Sequence, residues 1–141
     1  MKRLLRWIGI SAAIVGAGCQ TDHALGPVVP TDHGPGALEL RIAGPDSGLG
    51  ALLLGVAGGP VDSITATGIE ATALAVGADD YRVALRGSAL TQVAVRLWVP
   101  DLRQRAVYSA TVVQAVEETD YRLRPTADYR ISIAPVPARG R

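Results

Sequence analysis

The chain has one cysteine, Cys19, and its position limits what the thiol can do. A single cysteine excludes a disulfide within the chain, so burial alone must hold the folded part together. The residues before it begin with Lys2, Arg3 and Arg6, continue through an apolar run from Trp7 to Val15, and end on small residues. That layout is typical of a secretory signal, and the apolar run is shorter than the roughly 20 residues of a membrane-spanning helix.

The segment ending at Cys19 resembles a bacterial lipoprotein signal peptide. Ala17, Gly18 and Cys19 match the family's pattern, whereas Gly16 stands where that family usually has leucine. The resemblance implies that residues 1–18 are removed and that the Cys19 sulfur receives a diacylglyceryl group, which makes membrane lipid its first partner. Gln20 does not match the aspartate that retains some lipoproteins in the inner membrane, so the outer membrane is the favoured location. Three alternatives remain open, namely an ordinary buried thiol, an uncleaved anchor and an ordinary secretory signal.

Residues 19–36 are predicted to be a flexible linker that carries the lipidated cysteine. The sequence "QTDHALGPVVPTDHGPG" shows neither helical nor strand periodicity, and proline and glycine are concentrated at its end. It contains both histidines of the chain, His23 and His33, each following a Thr-Asp pair. A zinc or copper ion held by them would have to order a mobile segment on binding. We therefore expect no metal ion and no cofactor.

The remaining side chains with catalytic potential do not form a recognisable enzyme motif. Several serines are available as nucleophiles, but both histidines lie in the predicted linker, so a serine–histidine arrangement lacks a fixed base. Carboxylates cluster at Asp79–Asp80 and at Glu117–Asp120, and calcium binding would require those turns to meet. A hydrolase that uses two carboxylates stays open as the alternative function. The sequence favours a protein without catalytic activity.

The charge balance disfavours nucleic acid as a partner. Three of the 14 lysines and arginines precede Cys19, which leaves 11 against 13 aspartates and glutamates. Nucleic-acid binding normally shows as a strong basic excess.

From residue 37 to residue 134 the sequence predicts a single antiparallel β-sandwich domain, followed by a tail over 135–141. Apolar and other residues alternate with a period of two in "ALELRIA", "YRVALR", "VAVRLWV" and "YRISIA", as in strands with one buried face. The apolar run "LGALLLGVAG" favours a central strand, with a short buried helix as the alternative, and further strands are expected near Val61, Ile69, Ala106 and Thr119. Turn signals recur at the spacing of a sandwich. The rhythm resembles immunoglobulin-like and cohesin-like bacterial domains, and "AVYSATVVQAV" resembles the tyrosine-containing late strand of immunoglobulin-like domains.

The tripeptide Asp-Tyr-Arg occurs three times, at 80–82, 120–122 and 128–130. We interpret each copy in the same way, with the aspartate ending a turn, the tyrosine entering the sheet and the arginine facing water.

Trp98 and Arg96 are the only residues that the sequence suggests for ligand binding. If Val95, Leu97 and Val99 face the core, alternation places Trp98 and Arg96 together on the outer face. An outward indole beside a guanidinium can stack on a sugar ring or anchor a protein partner. The competing interpretation is that Trp98 only covers the edge of the sheet. We expect a binding or structural module of the cell envelope, whose partner is an envelope protein or a glycan.

Overall fold

The computed structural model describes residues 33–137 as two antiparallel β-sheets packed face to face. The predicted signal peptide, Cys19 and most of the predicted linker lie outside the described residues. The nine strands are β1 Gly36–Ala43, β2 Leu49–Ala57, β3 Ser63–Ala66, β4 Glu70–Ala75, β5 Asp80–Arg86, β6 Ala94–Val99, β7 Ser109–Glu117, β8 Leu123–Arg124 and β9 Arg130–Pro135. Three short 3₁₀ helices span Leu90–Gln92, Leu102–Val107 and Thr126–Asp128. The predicted all-β sandwich is confirmed.

The strand order is β3-β6-β1-β9 in one sheet and β4-β5-β2-β7-β8 in the other. Consecutive strands β1 and β2 lie in different sheets, as do β6 and β7, so the chain repeatedly crosses between the two layers. The apolar strand β2 is central in its sheet, as predicted. No helix among residues 33–137 has the length and apolar character needed to cross a bilayer.

The core is one cluster of aliphatic side chains supplied by both sheets. Along β1, β5 and β6, alternation sends every second residue into it. Twelve side chains are almost completely enclosed, namely Leu38, Leu40, Leu49, Leu52, Leu54, Leu85, Leu90, Leu97, Val56, Val83, Val95 and Val99. No polar or charged residue among the described residues is buried. Burial of aliphatic surface therefore holds the two layers together.

Two of the predicted strands are displaced. The segment beginning at Ala106 lies in the 3₁₀ helix Leu102–Val107, and the strand starts at Ser109. Asp101 caps that helix, because its carboxylate accepts from the backbone N–H of Arg103 at 3.0 Å. The strand expected near Thr119 is instead a turn, and the two-residue strand β8 follows at Leu123. At both places, residues that the alternating pattern assigns to a strand instead form a 3₁₀ helix or a turn.

Tyr108, just before β7, joins distant parts of the chain. Its hydroxyl donates a 2.6 Å hydrogen bond to the carbonyl of Pro60, 48 residues earlier. In the tyrosine corner of immunoglobulin domains the hydroxyl reaches backbone only a few residues upstream. The contact in this chain therefore differs from that motif. Gly58 packs against the backbone of Val107 and Tyr108. Its φ is +115°, and an added Cβ would be 1.8 Å from the carbonyl oxygen of Val107.

Candidate functional site

Trp98 lies on the outer face of the four-stranded sheet, with 44% of its surface exposed. The neighbours Leu97 and Val99 point into the core and are 0% and 1% exposed. This orientation follows from the alternation along β6. The register places Ala37 of β1 opposite Trp98 on one side and Ser63 of β3 opposite on the other. Because both neighbours have small side chains, no large side chain encloses the indole from these two positions.

Arg96 shares this face and belongs to a cluster of ion pairs centred on Glu39. The Arg41 Nε atom lies 2.7 Å from one Glu39 carboxylate oxygen, and the Arg96 Nε atom lies 3.9 Å from the other. The Glu39 side chain is 15% exposed, whereas those of Arg41 and Arg96 are 76% and 45% exposed. Exposed ion pairs of this kind contribute little to stability. Each guanidinium has five N–H donors, so both retain donors for a ligand.

A hollow of about 420 Å³ lies next to the ion pairs, at the other end of β6 from Trp98. Its lining includes Glu39, Arg41 and Ala94, together with Thr91 and Gln92 from the 3₁₀ helix Leu90–Gln92. The Thr91 backbone N–H donates to an Asp46 carboxylate oxygen at 3.1 Å, which ties this helix to the β1–β2 turn. Ala94 and Trp98 are four positions apart along the extended strand, or about 13 Å. A ligand that touches the indole and enters the hollow must therefore be extended.

We call this surface the Trp98 face and define it by Trp98, Arg96, Glu39, Arg41 and the hollow. The other outward positions of the sheet carry small, hydroxyl or arginine side chains; they are Ala37, Ala43, Ser63, Thr65, Ala94, Arg130, Ser132 and Ala134. The sheet as a whole presents three arginines outward against a single glutamate. Trp98 is its one large apolar group. The face therefore combines a flat ring with an excess of positive charge.

No protein-family model, curated protein or solved structure matches the chain.

A second candidate, Tyr121, was not predicted from the sequence and lies in the β7–β8 turn. It is 78% exposed and has a φ of +58°, which is uncommon for a residue other than glycine. It lines a hollow of about 510 Å³ together with Arg86, Glu117 and Glu118. Ala51 of β2 contributes to the lining between Arg86 and Val116, its register partners on either side. A small residue between two larger ones leaves this space above the outer face of the five-stranded sheet.

The three Asp-Tyr-Arg tripeptides do not share one role. The hydroxyl of Tyr129 donates to the carbonyl of Pro45 at 3.1 Å, and that of Tyr81 accepts from the backbone N–H of Val61 at 3.0 Å. Both rings enter the sandwich as predicted. The prediction is wrong for Tyr121, because its tripeptide forms a turn and not the entry to a strand. The run of polar residues over 117–120 was the available signal for that turn.

The two carboxylate clusters do not meet. Asp80 pairs with Ala57 at one end of β2, whereas Glu117 pairs with Leu49 at the other end. Within residues 33–137 no three histidine, cysteine, aspartate or glutamate side chains gather as a metal site would require. The calcium site that these turns could have formed is therefore not assembled by the fold.

The shifted pKa values of Asp101 and Tyr108 have structural causes away from the Trp98 face. The pKa of Asp101 falls to about 2 because its carboxylate accepts hydrogen bonds from the side chain and backbone of Arg103. The pKa of Tyr108 is raised above its ordinary value, mainly by burial and further by nearby acidic groups, including Tyr81 and Asp62. Both groups support turns at the end of the sandwich where β1 begins.

Proposed function

We propose that this chain is a non-catalytic, lipid-anchored binding module of the cell envelope, and that its Trp98 face binds an acidic glycan. The observation that carries the proposal is the pairing of a half-exposed indole with arginines on an outer sheet face that is otherwise built from small and hydroxyl side chains. The lipid anchor is supported by the sequence that ends at Cys19.

The chemistry of the face favours a glycan over a protein partner. The flat, apolar indole suits the face of a pyranose ring, and its neighbours are too small to obstruct such a ligand. Guanidinium groups bind carboxylates with directed, charge-assisted hydrogen bonds. The centres of protein–protein interfaces carry clusters of large apolar anchors, and this face has only one such group. A linear polyuronate meets both requirements, because every residue offers a ring and a carboxylate.

The binding test compares wild-type protein with Trp98→Ala and Arg96→Gln, using a polyuronate and a neutral glucan of equal length in calorimetric titrations. We expect Trp98→Ala to weaken polyuronate binding at least tenfold, which corresponds to about 1.4 kcal/mol. Arg96→Gln should reduce the preference for the acidic polymer over the neutral one.

The matched control is Leu123→Ala, which alters an exposed apolar residue on the other sheet. It should bind the polyuronate as wild type does. Equal binding by wild type and Trp98→Ala contradicts the proposal, and favours the interpretation in which the indole only covers the sheet. Failure of the wild type to bind either polymer also contradicts it.

The anchor is tested separately with Cys19→Ser. The variant should move from the membrane to the soluble envelope fraction, because it lacks the sulfur that carries the lipid, and its circular dichroism should remain that of a β-protein. Wild-type protein should show the added mass of a lipid and separate with the outer membrane where two membranes exist. A membrane-bound Cys19→Ser variant, together with wild-type protein that carries no lipid mass, contradicts the anchor.

A further inference from the structure

Strand β4 differs from the other strands at the sheet edges. β3 has four residues and β8 has two, while β9 carries Arg130 and ends at Pro135. Short length, charge and proline are features that keep edge strands from pairing with other chains. β4 has six residues in continuous register with β5, and its only charged residue is the first, Glu70. Among the described edge strands, it is the one that lacks these protective features.

The backbone of β4 presents unused pairing groups along its free edge. The N–H of Val76 donates to the carbonyl of Asp80 on β5 at 2.9 Å. Backbone groups alternate in direction along an antiparallel strand, so the even-numbered residues of β4 direct their N–H and C=O groups towards β5. Ala71, Ala73 and Ala75 therefore direct their N–H and C=O groups away from the sheet. All residues from Thr72 to Val76 are exposed, and Leu74 is 65% exposed.

The sequence around this edge is self-complementary. In "TALAV", residues 72–76, Leu74 is central, Ala73 and Ala75 flank it, and Thr72 and Val76 have nearly the same shape. An antiparallel copy rotated by 180° about Leu74 therefore sets Ala73 against Ala75, and Thr72 against Val76. Residues 71–78 carry no charge, so no like charges oppose each other within this stretch. A strand with another sequence would lack this match.

We propose that β4 pairs with β4 of a second copy of this chain, antiparallel and centred on Leu74. The two five-stranded sheets then form one continuous sheet of ten strands with two-fold symmetry. Ala73 and Ala75 of each copy form the hydrogen-bonded pairs. Leu74 opposes Leu74 in a non-hydrogen-bonded pair, where side chains approach most closely. Glu70 falls opposite the uncharged Ala78 and stays beside Arg86, its register partner on β5.

The expected association is weak, because the pairing uses few residues. Interfaces below about 1,200 Å² are typical of transient complexes. Sedimentation equilibrium should therefore show the mass rising toward twice the monomer mass between roughly 10 µM and 1 mM protein. The full chain with Cys19→Ser is suitable, because this change removes its only thiol.

Leu74→Lys tests the surface, and Leu123→Lys is its matched control. The two leucines are 65% and 66% exposed and lie on opposite edge strands of the same sheet. Leu74→Lys sets two like charges against each other at the two-fold axis, so dimerisation should be lost, whereas Leu123→Lys should dimerise as the parent does. A parent that remains monomeric at all these concentrations overturns the proposal. So does a dimer that survives Leu74→Lys.

Disulfide formation tests the register. In the Cys19→Ser background, Leu74→Cys brings two Cα atoms to about 4.5 Å, within the range of a disulfide. Thr72→Cys lies opposite Val76, four residues or about 13 Å from its counterpart, which is too far. Mild oxidation should therefore crosslink Leu74→Cys and leave Thr72→Cys monomeric. Equal crosslinking of both variants, or none in Leu74→Cys, overturns the proposed pairing.

Discussion

Replacing Tyr108 with phenylalanine removes one hydroxyl and tests how the Gly58–Pro60 loop is held. That hydroxyl donates to the Pro60 carbonyl at 2.6 Å, and the Tyr108 residue is 7% exposed. Loss of such a hydrogen bond costs about 1 kcal/mol, and leaving the carbonyl without a donor adds to this cost. We expect Tyr108→Phe to lower the free energy of unfolding by about 1–2 kcal/mol at pH 7.

The same substitution has a pH dependence with a defined sign. The pKa of Tyr108 is raised in the folded state above its ordinary value of 10.0, chiefly by burial. The stability that the neutral Tyr108 side chain provides is therefore fully present below pH 10. It declines as the pH rises toward the folded pKa, because the unfolded chain ionises first. At pH 11, above the ordinary tyrosine pKa, ionisation therefore stabilises the unfolded wild type more than the folded one. The difference between wild type and Tyr108→Phe should therefore be smaller at pH 11 than at pH 7.

The assay is urea unfolding followed by circular dichroism at pH 7 and pH 11. Effects of the other tyrosines cancel in the comparison, because both proteins contain them. Tyr121→Phe is the control, since Tyr121 is 78% exposed, and it should stay within about 0.5 kcal/mol of wild type at both pH values. A difference between wild type and Tyr108→Phe that is the same at both pH values would refute the reasoning.

Two further substitutions test the assigned faces and turns. Val95→Asp should lower the free energy of unfolding by about 4 kcal/mol or more, because it buries an unpaired carboxylate at a 0% exposed position. The control Ala94→Asp, on the outer face, should lower it by less than about 1 kcal/mol. Equal losses in urea midpoints would contradict the orientation of β6. Gly58→Ala should lower the melting temperature more than Gly68→Ala does. Both glycines have positive φ, but only at Gly58 would a Cβ collide with the Val107 carbonyl. Thermal unfolding that ranks the two variants otherwise contradicts this close contact.

Much of the sandwich was predictable, because alternation is a local property of each strand. The runs containing Leu40, Val83 and Val95 alternate clearly, and all three residues are buried. The same regularity places Trp98 outward. Prediction was less accurate where turn residues extended into an apolar pattern. Ala106 is part of a 3₁₀ helix, and Thr119 is part of a turn, because capping and turn hydrogen bonds compete with strand pairing there.

The sequence by itself determined the period of the strands, and hence which residues of one strand share a face. It also showed the single thiol at Cys19 and the apolar segment before it. Only the tertiary structure decided which strands are neighbours, since pairing joins residues far apart in the chain. That pairing brings Arg96 of β6 to Glu39 of β1, and it leaves β4 at an edge. The physical reason is that side-chain alternation follows from local backbone geometry, whereas register depends on how two whole sheets bury their apolar faces together.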